Sequence, residues 1–195
     1  MRKQSVIILF LVLIAGLFAG ADLQKKGKVV SATETAYLAG GCFWGMEDLL
    51  RKQPGIIETE VGYMGGQLKN ATYNIVKTGT TQHAETVKIV FDPQKTSYQN
   101  VLLFFFKIHD PTTVNRQGND IGTQYRSAIF YTSEKQKEEA QLVKNKVDKS
   151  GAWKKPIVTE IVAAGDFWKA EDYHQDYLVK NPQGYTCHYE RKIDF

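Results

Sequence analysis

Thr35-Ala36-Tyr37-Leu38-Ala39-Gly40-Gly41-Cys42-Phe43-Trp44-Gly45-Met46-Glu47-Asp48-Leu49-Leu50-Arg51 reads as a strand, a glycine pair, a cysteine and a helix. That order predicts a thiol at a helix N-terminus. The unpaired backbone N–H groups and the helix dipole there favour the thiolate, one recognised way of making a cysteine reactive near neutral pH. A free cysteine also serves often as a small buried hydrophobe. The glycines favour the reactive reading, because they permit close backbone approach and unusual torsions that a core filler does not need.

Upstream, Met1-Arg2-Lys3 is basic, Val6 to Ala21 is almost wholly apolar, and Ala19-Gly20-Ala21 has the A-x-A form. This pattern predicts a secretory signal peptide over residues 1–21, cleaved after Ala21, and hence export to a periplasmic or extracellular space. The alternative is an N-terminal membrane anchor, although the apolar run falls short of the about 20 residues a spanning helix needs. Residues 22–34 are a polar leader, and 35–195 is long enough for one domain with its own core. The formal charge of +4 is dispersed, and the lysines between Lys135 and Lys149 are interspersed with glutamates as on a solvated helix face. Nothing in this distribution indicates nucleic acid, and membrane contact is expected only through the signal segment. Two cysteines, Cys42 and Cys187, make a structural disulfide the main rival to a catalytic thiol in an exported chain.

Downstream, Gln53-Pro54-Gly55 is a turn, and Ile57, Thr59, Val61 and Tyr63 alternate as one face of a strand. A short helix is expected within Ala71 to Lys77. Ala84 to Phe91 is a second alternating strand, and Glu85 shares the parity of Val87, Ile89 and Phe91. Taken alone, Glu85 reads as a strand-end carboxylate that reaches water, because glutamate is rarely fully buried. Tyr98, Val101, Leu102, Phe105 and Ile108 recur at helical spacing, with Phe104-Phe105-Phe106 as core. A polar loop over 115–124 leads into a strand near Tyr125 to Tyr131. Ser133 and Gln136 form a capping box for a long helix ended by Gly151, and Ile157 to Ala164 is a last strand.

The order through residue 131 is strand, helix, strand, strand, helix, strand. It matches the ferredoxin-like βαββαβ arrangement, so the expected class is a two-layer α+β domain with one extra helix and strand. From Gly165 onward a long irregular C-terminal coil is expected, with a short helix around Ala170 to Lys180.

Gly41-Cys42-Phe43-Trp44-Gly45, Gln82-His83-Ala84-Glu85, His109-Asp110-Pro111-Thr112, Arg116-Gln117-Gly118-Asn119-Asp120 with Gln124-Tyr125-Arg126-Ser127, and Ala170-Glu171-Asp172-Tyr173-His174-Gln175 resemble peptide methionine sulfoxide reductase of the A class. The likeness spans Ala36 to Cys187, with the motifs in the family's order. The resemblance implies reduction of the S epimer of methionine sulfoxide, free or in oxidised proteins, without metal or cofactor. It makes Cys42 the nucleophile, Glu85 the acid, Tyr73 and Tyr125 the donors to the sulfoxide oxygen, and Asp120 a member of the same polar cluster. Phe43 and Trp44 would wall a methyl pocket. Cys187 would resolve the Cys42 sulfenic acid as a Cys42–Cys187 disulfide, which a thioredoxin-like donor would reduce; a monomer is expected. Burial supplies a physical reason for the acid, since it disfavours a carboxylate and raises its pKa.

Two departures stand out: Gln82 where glycine is usual, and the oxidisable Met64 beside Gly65-Gly66. His83 either orients Glu85 or satisfies a backbone group, the second being preferred. Two other classes compete, a thiol hydrolase built on Cys42 and His83, and a non-enzymatic domain stapled by a Cys42–Cys187 disulfide.

Overall fold

A computed structural model describes residues 32–195; the expected signal peptide, and most of the polar leader, lie outside the described residues. Strand β1 (Glu34–Gly40) is the hinge of the sheet, because both its edges are paired: β3 (Ala84–Phe91) lies on one side and β6 (Ser127–Tyr131) on the other, both antiparallel. Strand β2 (Ile56–Met64) adds to the far edge of β3. The order β6-β1-β3-β2 is the expected ferredoxin-like core. The extra strand β7 (Glu160–Ala163) then pairs parallel to β6, the long helix between them making the crossover that a parallel pair needs.

Helices α1 (Phe43–Leu50), α3 (Tyr98–Ile108) and α4 (Glu134–Lys149) contribute to the main core with one face of the sheet. Strand parity decides what goes there. Ala36 and Leu38 of β1 and Val87, Ile89 and Phe91 of β3 are fully buried among the helices' Leu50, Leu102, Phe105 and Val147. The opposite parity feeds a smaller cluster of Ala39, Met64, Ala84, Ala128 and Phe130 on the other face. Met64 is thus only 1% exposed, shielded from the oxidants its sequence position raised. Half of the expected capping box forms: Ser133 Oγ accepts from the Gln136 N–H of α4, but the Gln136 side chain accepts from the Thr132 N–H and hydroxyl rather than from the Ser133 N–H.

Four details differ from the sequence reading. A bulge between Ile56 and Glu58 throws Ile57 out of the expected face, and it is 58% exposed while Val61 and Tyr63 are buried. Tyr125 lies in a short 3-10 turn (Thr123–Tyr125) before β6 rather than in the strand. The last strand is shorter than Ile157 to Ala164, because the Val158 N–H is taken by the Pro111 carbonyl. The C-terminal helix shrinks to α5 (Tyr177–Lys180), and residues 168–169 form a two-residue strand β8 on the outer edge of β2. Among the described residues no helix is long and apolar enough to cross a membrane.

Gln82 takes φ of 61° directly before β3. A left-handed torsion costs an L-residue about 1 kcal/mol or more, which glycine does not incur. The side chain is exposed, so little packing opposes its removal. Gln82→Gly should therefore raise stability by about 0.5–1 kcal/mol, a shift of roughly 1–4 °C in a melting scan. A lower midpoint would mean that glutamine is held there by contacts worth more than the strain.

Candidate active site

Cys42 is the residue immediately before α1, and the helix's first two amides divide their attention. The Phe43 N–H donates to Glu85 Oε2 at 3.1 Å, and the Trp44 backbone amide acts to lower the Cys42 pKa. One helix end thus holds the expected nucleophile and the expected acid together. Glu85 arrives there because it lies on the buried parity of β3, opposite Tyr63 of β2, and is 3% exposed.

Electrostatics set the resting protonation. Burial, with a smaller push from Asp120, raises Glu85 to about 8 against the opposing Phe43 hydrogen bond, so the carboxyl keeps its proton at pH 7. The expectation that the helix end would lower the Cys42 pKa is not met. Burial, and then the Glu85 carboxylate, push the thiol far above its usual range, and the Trp44 amide offsets only part of this. Desolvation of a sulfur that is 7% exposed outweighs a partial charge confined to the helix's first turn. The two groups are also coupled: Cys42 can ionise readily only while Glu85 is protonated.

A cavity of about 140 Å³ opens beside the sulfur. Cys42, Phe43, Trp44, Tyr73, Glu85, Asp120 and Tyr125, all anticipated from sequence, line it together with Tyr185, which was not. Tyr73 begins the short helix α2 (Tyr73–Val76), and Asp120 sits in a hairpin of β4 (Arg116–Gln117) and β5 (Asp120–Ile121) within the polar loop. Burial first, then the Glu85 carboxylate, raise both Tyr73 and Tyr125, so their hydroxyls remain donors. The apolar wall is braced from behind. Trp44 Nε1–H donates to His174 Nδ1 at 3.0 Å, Trp44 stacks on Tyr177 at 3.8 Å, and His174 packs against the rings of Phe43 and Tyr73. Glu171 accepts from the Tyr73 N–H at 2.9 Å and the Tyr63 hydroxyl at 3.0 Å, fixing the start of α2. The Ala170–Gln175 motif was visible in the sequence, but its service as a brace depends on contacts more than ninety residues away in the chain.

The C-terminal coil crosses the same glycine-rich corner. Gly41 has φ of 108°, and a Cβ there would lie 3.1 Å from the His188 ring; one on Gly45 would collide with Thr186 Oγ1 and come within 2.8 Å of His188 Nδ1. The glycines thus admit the coil as well as the strand-to-helix turn. Cys187 lies over the polar side of the cavity, where its thiol donates to Asp120 Oδ2 at 3.3 Å, and the Tyr185 hydroxyl donates to the same oxygen at 3.2 Å. Both cysteines are free thiols. Burial and the Asp120 contact push Cys187 up to about 12.

His83 takes the preferred of its two readings. Its Nδ1 accepts from the Gly66 N–H at 3.2 Å and its Nε2 lies 2.8 Å from the Leu68 carbonyl, so both ring nitrogens serve the 65–68 turn. No Cys42–His83 hydrolytic pair exists.

A thiol beside a protonated carboxyl, phenolic donors and a small aromatic-walled cavity define a thiol oxidoreductase acting on a compact polar group. Residues 34–194 match the family model described as peptide methionine sulfoxide reductase. The peptide methionine sulfoxide reductase MsrA of Mycobacterium ulcerans is 57% identical over 83% of this chain and 92% of its own. Among solved structures, reduced Mxr1 of Saccharomyces cerevisiae aligns with a TM-score of 0.78 at 39% identity, over 82% of this chain and 93% of that one. Methionine sulfoxide reductase A of Corynebacterium diphtheriae gives 0.75 at 40%, over 83% and 81%. The chain belongs to the peptide methionine sulfoxide reductase family, in its A class. It is a thiol-dependent oxidoreductase that reduces methionine-S-sulfoxide to methionine.

The Glu85 proton has a consequence for stability. Between the ordinary carboxyl pKa and about 8 the unfolded chain has lost this proton while the folded chain keeps it, so folding binds more protons and stability falls as pH rises through that window. Glu85→Gln has no proton to lose. The variant should gain stability over the parent from pH 4 to pH 8, on the order of a few kcal/mol by the upper end. Parallel unfolding curves at both pH values would show instead that Glu85 is ionised in the folded protein.

Proposed function

We propose that Cys42 attacks the sulfoxide sulfur as Glu85 delivers its proton to the oxygen, and that the Glu85 carboxylate left behind takes up the Cys42 proton. Tyr73 and Tyr125 donate hydrogen bonds to that oxygen, Asp120 completes the polar cluster, and Phe43 and Trp44 receive the S-methyl group. Methionine leaves, and Cys42 retains the oxygen as a sulfenic acid. Cys187 then attacks the Cys42 sulfur, water departs and a Cys42–Cys187 disulfide remains for an external dithiol. The observation that carries this reading is the shared helix end, which joins a buried acid to the sulfur on the wall of one small cavity. The nearness of Cys187 to Asp120 in the cavity wall supports the second step.

The reductant is a thioredoxin-like protein, as the complex of yeast Mxr1 with Trx2 suggests by analogy. Substrates are methionine sulfoxide free or on oxidised proteins, and the enzyme works as a monomer. Residues 1–21 act as a cleaved export signal, and 35–195 form a single catalytic domain, a division supported by a core that runs from Ala36 to Ala170. The donor therefore lies outside the cytosol.

Separated sulfoxide epimers, presented with dithiothreitol, should show turnover of the S form, and Cys42→Ser should abolish it. Cys187→Ser should release one methionine per enzyme and then stall with a thioredoxin-type donor; sustained turnover with that donor would require another resolving group. Export is tested separately by the mass of the chain recovered from the extracytoplasmic fraction. It should begin at Asp22, and an intact N-terminus would identify a membrane anchor.

A further inference from the structure

Cys187 must lose its proton to attack a sulfenic acid, yet Asp120 accepts the thiol hydrogen bond and holds the proton on sulfur. A second acceptor lies on the other side. His188 Nδ1 is 3.5 Å from Cys187 Sγ, and its Nε2 is 2.8 Å from the Gly40 carbonyl oxygen. A carbonyl can only accept, so Nε2 carries the ring hydrogen and Nδ1 presents a lone pair. The ring is 6% exposed, its backbone N–H is tied to Thr186 Oγ1 at 3.1 Å, and Gly41 and Gly45 leave the room in which it sits. A histidine bonded on its far nitrogen and open toward a thiol on its near one has the geometry of a general base.

The geometry points to His188 as the catalytic base of the second half-reaction, taking the Cys187 proton onto Nδ1 as the Cys187 sulfur attacks the Cys42 sulfenic acid. The inference rests on the proposed role of Cys187. The S–H bond of Cys187 breaks with its proton going to His188, the S–S bond forms, and the S–O bond of Cys42 breaks. The departing hydroxide takes up one proton, so the products are one disulfide and one water, and His188 becomes neutral again when its proton is released. Two thiol-level sulfur equivalents are oxidised to disulfide overall as the oxygen brought by the substrate leaves in water.

The titratable and charged groups facing the ring are Cys187 beside it, Asp120 of β5, His109 at the end of α3 and Arg191 of the tail. Burial lowers His188 to about 4, with Arg191 acting in the same direction and the Gly40 hydrogen bond and Asp120 opposing, so the lone pair is free throughout the neutral range. The imidazolium formed in passing stands near the Asp120 carboxylate, which favours it. In the chain's sequence this histidine is inconspicuous; its role is visible only because the coil folds back onto Gly40.

The test uses the full chain, reduced and then mixed with one equivalent of methionine-S-sulfoxide without reductant. Released methionine, dimedone-trapped sulfenic acid and the Cys42–Cys187 disulfide are followed by quench and mass spectrometry. In His188→Ala the lifetime of the sulfenic acid should lengthen about 100-fold. The rate of disulfide formation should become proportional to hydroxide between pH 6 and 8, about tenfold per pH unit, where the parent is nearly flat. His188→Gln retains an amide that can donate to the Gly40 carbonyl but supplies no base, and it should show the same slope. A disulfide rate equal to the parent's, or slowed equally at every pH, would overturn the role, the second result marking His188 as an anchor for the coil. Failure of the parent itself to form the Cys42–Cys187 disulfide would instead remove Cys187 as resolving group, and His188 with it.

Discussion

Two backbone amides at the start of α1 are the constraint on which the site depends. One binds Glu85 and the other favours the Cys42 anion, so the proposed acid and the proposed nucleophile are positioned by the same turn of chain. Each group, charged, would repel the other, and both are largely withdrawn from water. At neutral pH both are therefore held protonated, the carboxyl with one proton to give and the sulfur able to ionise only while that proton is present. That is the protonation a sulfoxide needs from its partner: a nucleophile for the electron-poor sulfur and a proton for the oxygen it releases.

Around this turn, absence of side chain matters as much as side chain. Gly41 and Gly45 leave room for the Thr186 and His188 side chains of the C-terminal coil to pack against the turn that carries Cys42. The coil thereby supplies Tyr185 to the cavity, Cys187 to Asp120 and His188 to Gly40 without any regular secondary structure of its own at residues 184–188. Its other anchor is electrostatic. Glu47, buried on α1, forms an ion pair with the Arg51 guanidinium at 3.0 Å and accepts from the Asp176 N–H at 3.0 Å, and Arg51 also pairs with the Asp176 carboxylate. The start of α5 is thus tied to α1, while the stretch bearing Cys187 is held mainly by polar contacts.

Local periodicity was enough to read most of the sheet. The parity that buries Val87, Ile89 and Phe91 also buries Glu85. Taken alone, however, the residue reads as a strand-end carboxylate reaching water, because buried glutamate is rare, and only the family resemblance points to a buried acid. Parity failed at Ile57, because a bulge inserts one residue into the count and nothing in Ile56-Ile57-Glu58 announces it. Gln82 was legible as an oddity, and its left-handed torsion supplies the reason glycine is usual there. The brace of Glu171 and His174, and the placement of Tyr185 and His188, were not legible as roles, since each rests on packing between segments remote in sequence. The thiol was misjudged for a different reason: the helix end was visible in the sequence, whereas the desolvation that outweighs it is a property of the assembled cavity.

That misjudged thiol alters how the site at rest should be understood. With Cys42 and Cys187 both held above their ordinary range, neither sulfur is stored as a standing thiolate at neutral pH. A permanent thiolate would be the better target for any passing oxidant or electrophile, since nucleophilicity belongs to the anion. On the proposed mechanism the ionisation is deferred until a sulfoxide occupies the cavity: its oxygen accepts the Glu85 proton, the Glu85 carboxylate takes up the Cys42 proton, and the developing charge on sulfur is spent at once in bond formation. The proposed mechanism extends the same logic to the second thiol, whose hydrogen bond to Asp120 keeps its proton on sulfur until a sulfenic acid is present to be attacked. On that proposal selectivity follows from timing, because each sulfur becomes reactive only when its own partner oxygen is already in place to leave.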